Sequence, residues 1–255
     1  MEYGLIGEKL SHSFSKDIHE QLADYIYEIT PIERENLSAF MEKHDFKAIN
    51  VTIPYKQTVM PYIDVLDDKA ARIGAVNTVV NKNGKLYGYN TDFYGFLYMC
   101  QHNNVAIEGK KVLVIGNGGA AAAIKAVVEH LKASLIVVVD IVPGDNVITY
   151  DECYASHTDS QVIINTSPVG MYPNTDASPI DLTKFKSCEA VLDVVYNPLV
   201  TKLTKEASDL GMQAVNGLEM LVAQAKYAVE YFLDTTIDDE VIDKIYKDIY
   251  NQKNS

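Results

Sequence analysis

Positive charge is scarce in this chain: 22 lysines and arginines stand against 35 aspartates and glutamates, a formal net charge of −13 over 255 residues. Nucleic acid and anionic membrane surfaces both demand clustered cations, so neither is expected as a main partner, although a small anionic substrate needs only a local site. Cysteine is scarce too. Cys100, Cys153 and Cys188 lie far apart without a C-x-x-C pair, a pattern of free thiols in a reducing compartment rather than of a disulfide framework. The six histidines show no metal-ligand spacing, so no metal site is expected. No apolar run approaches the roughly 18–20 residues of a membrane span. The opening Met1-Glu2-Tyr3-Gly4 lacks the basic region and apolar stretch of a signal peptide, so a cytoplasmic protein is expected. Repeats, low-complexity blocks and Pro/Ser-rich linkers are absent.

What is present is ordinary globular composition, 47% hydrophobic and 22% charged, which excludes wholesale disorder. The length suits one or two domains. Strands and helices alternate throughout. Tyr3 to Ile6 reads as a buried strand, Ser15 to Tyr25 as a helix, and Leu37, Phe40, Met41 and His44 as a second helix. Ala48 to Ile53 is a strand that Pro54 ends, and Val76–Asn81 and Lys85–Tyr89 flank the hairpin signal Asn83-Gly84. A helix is expected over Phe93 to Gln101. Beyond about residue 110 the strands (Val112–Ile115, Leu135–Val139, Val162–Ile164, Val191–Val195) become mostly apolar, as in a parallel sheet covered on both faces. Helices follow over Gly119–Leu131, Leu218–Phe232 and around Asp238–Tyr250. The expected architecture is two α/β domains with a cleft between them. Residues 1–102, completed by C-terminal helices about 225–255, would form a substrate-binding domain, and 103–224 a Rossmann-type dinucleotide-binding domain with a parallel sheet.

Gly116-Asn117-Gly118-Gly119-Ala120-Ala121 follows a strand and opens a helix. Gly116, Gly118 and Ala121 fit G-x-G-x-x-[GA]: a tight turn, room for a pyrophosphate, and close helix–strand packing, with the helix N-terminus meeting the negative charge. Asp140 ends the next strand, where an acid accepts hydrogen bonds from a ribose 2′-hydroxyl and repels a 2′-phosphate. Residues 141–146 contain no Lys or Arg, so electrostatics favour NAD over NADP.

Four polar clusters mark the first half: Ser11-His12-Ser13-Phe14-Ser15, Asn50-Val51-Thr52-Ile53-Pro54-Tyr55-Lys56, Gly74-Ala75-Val76-Asn77-Thr78 and Gly88-Tyr89-Asn90-Thr91-Asp92. Singly each has a plain structural reading: Ser13 or Ser15 as an N-cap, Lys56 as a solvated lysine, Asn77 as a turn residue, Asp92 as a helix cap. With Asn165-Thr166-Ser167-Pro168-Val169-Gly170-Met171, Asp193-Val194-Val195-Tyr196-Asn197-Pro198 and Gly217-Leu218-Glu219-Met220-Leu221-Val222-Ala223-Gln224, the chain resembles the shikimate dehydrogenase family over nearly its whole length.

That resemblance implies an NAD(P)-dependent oxidoreductase interconverting 3-dehydroshikimate and shikimate on the route to aromatic amino acids. Ser13 and Ser15, with Thr52 nearby, would hold the substrate carboxylate. Asn77, Asp92 and Gln224 would bond the ring hydroxyls, Lys56 and Asp92 would be the catalytic pair, and Tyr196 would line the site. Gly116, Gly118, Gly119, Ala121, Asp140 and Thr166 would serve the coenzyme, with Gly217 and Met220 where nicotinamide meets substrate. The chemistry wants these groups, because hydride delivery to a ketone leaves an alkoxide that needs a nearby cation and a proton.

Two features depart from the family. Lys16 stands where proline usually follows the second serine, adding a positive charge near the carboxylate site or starting the helix differently. NADP-dependent members usually carry an Asn-Arg-Thr-like basic clamp where this chain has Asp140-Ile141-Val142, and the segment from Asp140 to Asn165 is short, so its helix is expected to be shortened or lost. NADP is the family habit; Asp140 argues for NAD. Alternatives are an NAD-preferring quinate/shikimate dehydrogenase and a non-catalytic ligand-binding relative, which would not need Lys56 with Asp92. No oligomeric state is encoded.

Overall fold

The computed structural model describes residues 1–10 and 14–253. Two compact units divide the chain: residues 1–95 with the chain from 221 onward, and residues 96–220.

The first unit runs β1 (Tyr3–Gly7), α1 (Ser15–Leu22), β2 (Tyr27–Pro31), α2 (Leu37–Lys43), β3 (Ala48–Val51), β4 (Val65–Leu66), α3 (Asp68–Ile73), β5 (Thr78–Lys82) and β6 (Lys85–Tyr89), and the chain leaves it in α4 (Thr91–His102). Its sheet has the order β2-β1-β3-β5-β6-β4. β1 is parallel to β2 and β3, whereas β5 is antiparallel to both β3 and β6. Alternation sorts the side chains. Ile6, Ile49, Val79 and Leu86 pack with Leu37 and Met41 of α2, while their neighbours Leu5, Ala48 and Val80 pack with Tyr27 on the opposite face. Asn83 and Gly84 both take positive φ, 56° and 83°, as the expected tight hairpin requires.

Helix α1 stops at Leu22, short of the expected Tyr25, because Ala23 turns extended and β2 follows. Tyr25 and Tyr27 sit two apart, a strand spacing, and join Tyr3 and His19 in an aromatic cluster. The N-cap of α1 is Phe14, with no side-chain cap bond, so Ser15 is the first helical residue rather than the cap. The expected strand from Val76 begins two residues later, at Thr78.

The second unit continues with β7 (Lys111–Ile115), α5 (Gly119–His130), β8 (Leu135–Val139), β9 (Val147–Ile148), α6 (Tyr150–Ser156), β10 (Val162–Asn165), β11 (Ala190–Asp193), α7 (Lys202–Asp209), β12 (Gln213–Val215) and the start of α8 (Leu218–Leu233). The remainder of α8 and α9 (Glu240–Lys253) return to the first unit, where Ala228 and Phe232 cover the Leu5–Tyr27 face. The second sheet has the order β12-β11-β10-β7-β8-β9 with its neighbouring strands parallel, which is the 3-2-1-4-5-6 arrangement of a dinucleotide-binding sheet. Both faces are covered, which explains why these strands read as continuous apolar runs. The helix after Asp140 is short but retained: Thr149 caps α6 reciprocally with Glu152.

β11 ends at Asp193 rather than Val195, because the carboxylate turns inward. Asp193 is fully buried and accepts from Thr201 Oγ1 (2.7 Å), Asn165 Nδ2 (2.9 Å) and Val195 N (3.0 Å). Burial pushes its carboxyl up to about 6 against the pull of those donors. A raised native value stabilises the fold below the ordinary value near 3.8 and is lost as pH rises through about 6. Relative to Asp193→Asn, the wild type should therefore lose on the order of 3 kcal/mol of unfolding free energy between pH 4 and pH 7, measured by urea denaturation at each pH. A constant difference would remove Asp193 from the titration.

Candidate active site

In the first unit, the turn after β3 and the N-terminus of α4 bring two charged groups together. Lys56 Nζ lies 2.5 Å from Asp92 Oδ2, and their side chains are 14% and 9% exposed. The other oxygen, Oδ1, accepts from Asn77 Nδ2 at 3.0 Å. Asn77 is itself saturated: Nδ2 also donates to Thr91 Oγ1 (3.0 Å), and Oδ1 accepts from Thr91 N (2.7 Å) and Thr78 Oγ1 (3.0 Å). Main-chain bonds tie the same motifs. Val76 N donates to Lys56 O at 2.7 Å, and Asn90 Nδ2 donates to Ala75 O at 2.9 Å. Asn50 extends the network, accepting from the Tyr27 hydroxyl at 2.7 Å and donating to Thr78 Oγ1 at 3.1 Å. A half-buried ammonium is thus aimed by a carboxylate that is aimed by an amide.

Thr52, half-buried, follows β3 with its main-chain N–H on Ile6 O. Ser15 is buried at the start of α1, and Ser13 lies outside the described residues. Lys16 lies in α1's first turn, where its ammonium bonds Glu20 at 2.6 Å and the Tyr27 carbonyl at 3.1 Å. Gln224 is half-buried on α8, its Nε2 bonded to Leu221 O.

In the second unit, Gly116 takes φ +95°, and a Cβ there would come within 2.9 Å of Thr166 Oγ1. That hydroxyl donates to Ile115 O at 2.7 Å, stitching the ends of β7 and β10 where the strand order reverses. A Cβ on Gly118 would meet nothing, so the turn is open to a ligand; Gly119 starts α5, and Ala121 is fully buried behind it. Asp140 Oδ2 accepts from Asn117 N at 2.7 Å, and Oδ1 from Val142 N at 3.1 Å, so the acid joins the glycine turn to the loop after β8. The open glycine and the helix start fit the pyrophosphate of a dinucleotide. Gly217 packs on the main chain of Val194, where any Cβ would overlap the carbonyl, and its N–H bonds Val195 O, immediately before Tyr196. Met220 is buried, and burial pushes the Tyr196 phenol above its ordinary range.

The sequence reading passed over Asn50, Thr78, Thr91 and Asp193 as functional positions. All four stood inside the motifs, but burial decides their importance, and burial of a polar residue is not visible in hydropathy.

A Rossmann-type unit joined to an α/β unit that holds a Lys–Asp pair defines a dinucleotide-dependent oxidoreductase. Residues 5–79 match the shikimate dehydrogenase substrate binding domain. Over 267 aligned residues the chain is 37% identical to the shikimate dehydrogenase (NADP(+)) of Clostridium beijerinckii, covering 98% of each. The chain superposes on a chorismate mutase/shikimate 5-dehydrogenase fusion protein from Clostridium acetobutylicum with a TM-score of 0.93 at 37% identity, covering 99% of this chain and 97% of that one. On the Listeria monocytogenes shikimate 5-dehydrogenase solved with shikimate and NAD, the TM-score is 0.81 at 27% identity over 96% of each. The chain belongs to the shikimate dehydrogenase family.

Removing the Asn77 amide strands buried Thr91 and Thr78 groups and frees the Asp92 carboxylate. Asn77→Ala should cost about 2–4 kcal/mol in urea unfolding. A loss below about 0.5 kcal/mol would show that water replaces the amide freely.

Proposed function

We propose that this protein is a shikimate dehydrogenase, interconverting 3-dehydroshikimate and shikimate by hydride exchange with a nicotinamide dinucleotide. The observation that carries the reading is the Lys56–Asp92 pair, held at 2.5 Å and braced by Asn77. The bound nicotinamide would supply the hydride. Lys56 would stabilise the negative charge growing on the ketone oxygen and deliver the proton that completes the alcohol. Asp92 keeps the ammonium in place and accepts from a ring hydroxyl, with Gln224 as a second ring contact. Asn77, whose amide is fully engaged within the protein, serves by aiming Asp92. Ser13, Ser15 and Thr52 take the substrate carboxylate, and Tyr196 lines the substrate.

Residues 1–95 with the C-terminal helices would carry the substrate, and the central unit the coenzyme, with Gly116, Gly118, Gly119, Ala121 and Thr166 forming its phosphate turn and Gly217 and Met220 facing the nicotinamide. Between the two coenzymes the reading favours NAD. Asp140 presents a carboxylate at the ribose position, and the following residues 141–146 carry no cation. Ile141 and Val142, 84% and 69% exposed, offer apolar surface for an adenine just beyond it.

Purified protein should oxidise shikimate with NAD at a higher kcat/KM than with NADP, followed by near-ultraviolet absorbance, with quinate as the competing substrate. Better turnover with NADP would overturn the Asp140 argument, and better turnover of quinate the substrate assignment. Lys56→Met should lower kcat on the order of 10³-fold while shikimate still binds. Unchanged turnover would remove Lys56 from the mechanism, and binding without turnover in the wild type would leave a ligand sensor.

A further inference from the structure

The glycine turn also carries a cation. Lys125 lies on α5, and its Nζ donates to the side-chain Oδ1 of Asn117 at 3.3 Å. Asn117 is the residue between the two glycines, and its main-chain N–H is held by Asp140. The lysine can lie back along its helix because Gly118, Ala121 and Ala122, seven, four and three positions earlier, present no side chain beyond a methyl. Its ammonium has three donors and this single protein acceptor, and no carboxylate pairs with it among the described residues. The lysine is half-buried in a chain that carries 35 acidic groups against 22 basic ones.

We infer that Lys125 is a specificity-determining residue for the coenzyme: it is the cation that takes the 2′-phosphate of NADP, from the helix side of the turn, and so retains NADP as the second coenzyme against the repulsion of Asp140. This rests on the dinucleotide reading of the turn and deepens it. Two bonds, Lys125 Nζ to the Asn117 side chain and Asn117 N–H to Asp140, tie the ammonium and the acid to the same residue of the turn. A ribose hydroxyl needs only the acid. A ribose phosphate, with about −1.5 to −2 charge at neutral pH, needs a cation within reach of a flexible four-carbon stem, and Lys125 is bonded to the turn. Its bond to a neutral amide is easily exchanged for a charge-assisted bond to phosphate.

The test is equilibrium binding by calorimetry, without shikimate, of NADP, NAD and adenosine 2′,5′-bisphosphate to the wild-type chain and to Lys125→Met and Lys125→Arg. Lys125→Met should weaken NADP and the bisphosphate about tenfold while NAD changes less than twofold, and Lys125→Arg should restore most of the loss. Added salt should flatten the difference. Equal weakening of NADP and NAD would place Lys125 on the shared pyrophosphate and overturn the assignment, as would no change in either, or no wild-type binding of the bisphosphate. A matching thermal midpoint for Lys125→Met excludes misfolding as the cause. The preceding reading fails separately: a wild type that prefers NADP sinks the Asp140 argument yet leaves the loss on Lys125→Met in place.

Discussion

A buried carboxylate needs partners for both of its oxygens, and Asp92 is built on that constraint. One of its oxygens takes the Lys56 ammonium and the other the Asn77 amide. Each partner is itself bound: Lys56 through its carbonyl to Val76, Asn77 through Thr91 and Thr78. The three motifs are consequently one object. The sheet supplies Asn77 just ahead of β5, α4 supplies Thr91 and Asp92, and the turn after β3 supplies Lys56. Because β5 runs antiparallel between β3 and β6, the chain entering β5 and the chain leaving β6 meet at one end of the sheet. The reversed strand β5 is what gathers these groups.

The second unit answers the same constraint differently. Asp193 has three neutral donors and no cation among the described residues, so its burial is only partly offset and its carboxyl is pushed up. It joins β10, through Asn165, to the start of α7, through Thr201. With Gly217 pressed on Val194, this fixes the strand end that presents Tyr196. Asp92 is braced by a charge and Asp193 by dipoles alone, a difference that suits one to chemistry and the other to architecture.

Much of this was legible in the residues because periodicity carries layer information. Unbroken apolar runs announced the parallel sheet, Asn83-Gly84 the hairpin, and strand–glycine–helix the turn at Gly116. The short strands β2, β4, β9 and β12 were not, since two to five residues at a sheet edge carry too little pattern. Helix α1 was read too long because Tyr25 continues its apolar stripe, while its burial is decided by stacking on Tyr3 from another element. Lys56 and Asp92 were recognisable as a pair only through the resemblance of their motifs. Spacing of 36 residues says nothing about contact. Asn77 shows the limit most clearly: the motif marks it as important, and only its saturated hydrogen bonds show that it acts on Asp92.

The coenzyme end is where local charge and family resemblance disagree, and the disagreement is physical rather than taxonomic. Relatives bear NADP in their names, yet the strand after the glycine turn ends here in an acid, Asp140. An acid at that point costs a bound phosphate at close range, where screening by salt is weakest. It also performs a second task, clasping Asn117 N–H and Val142 N–H so that the glycine turn and the following loop hold one geometry. A substitution that removed the charge would therefore loosen the turn as well. A chain under that double demand gains NADP tolerance more cheaply by adding a cation on α5 than by discarding the acid. Lys125 meets that demand from a helix, above a glycine–alanine surface, and its ammonium is bonded to the side chain of the residue whose main-chain N–H the acid holds.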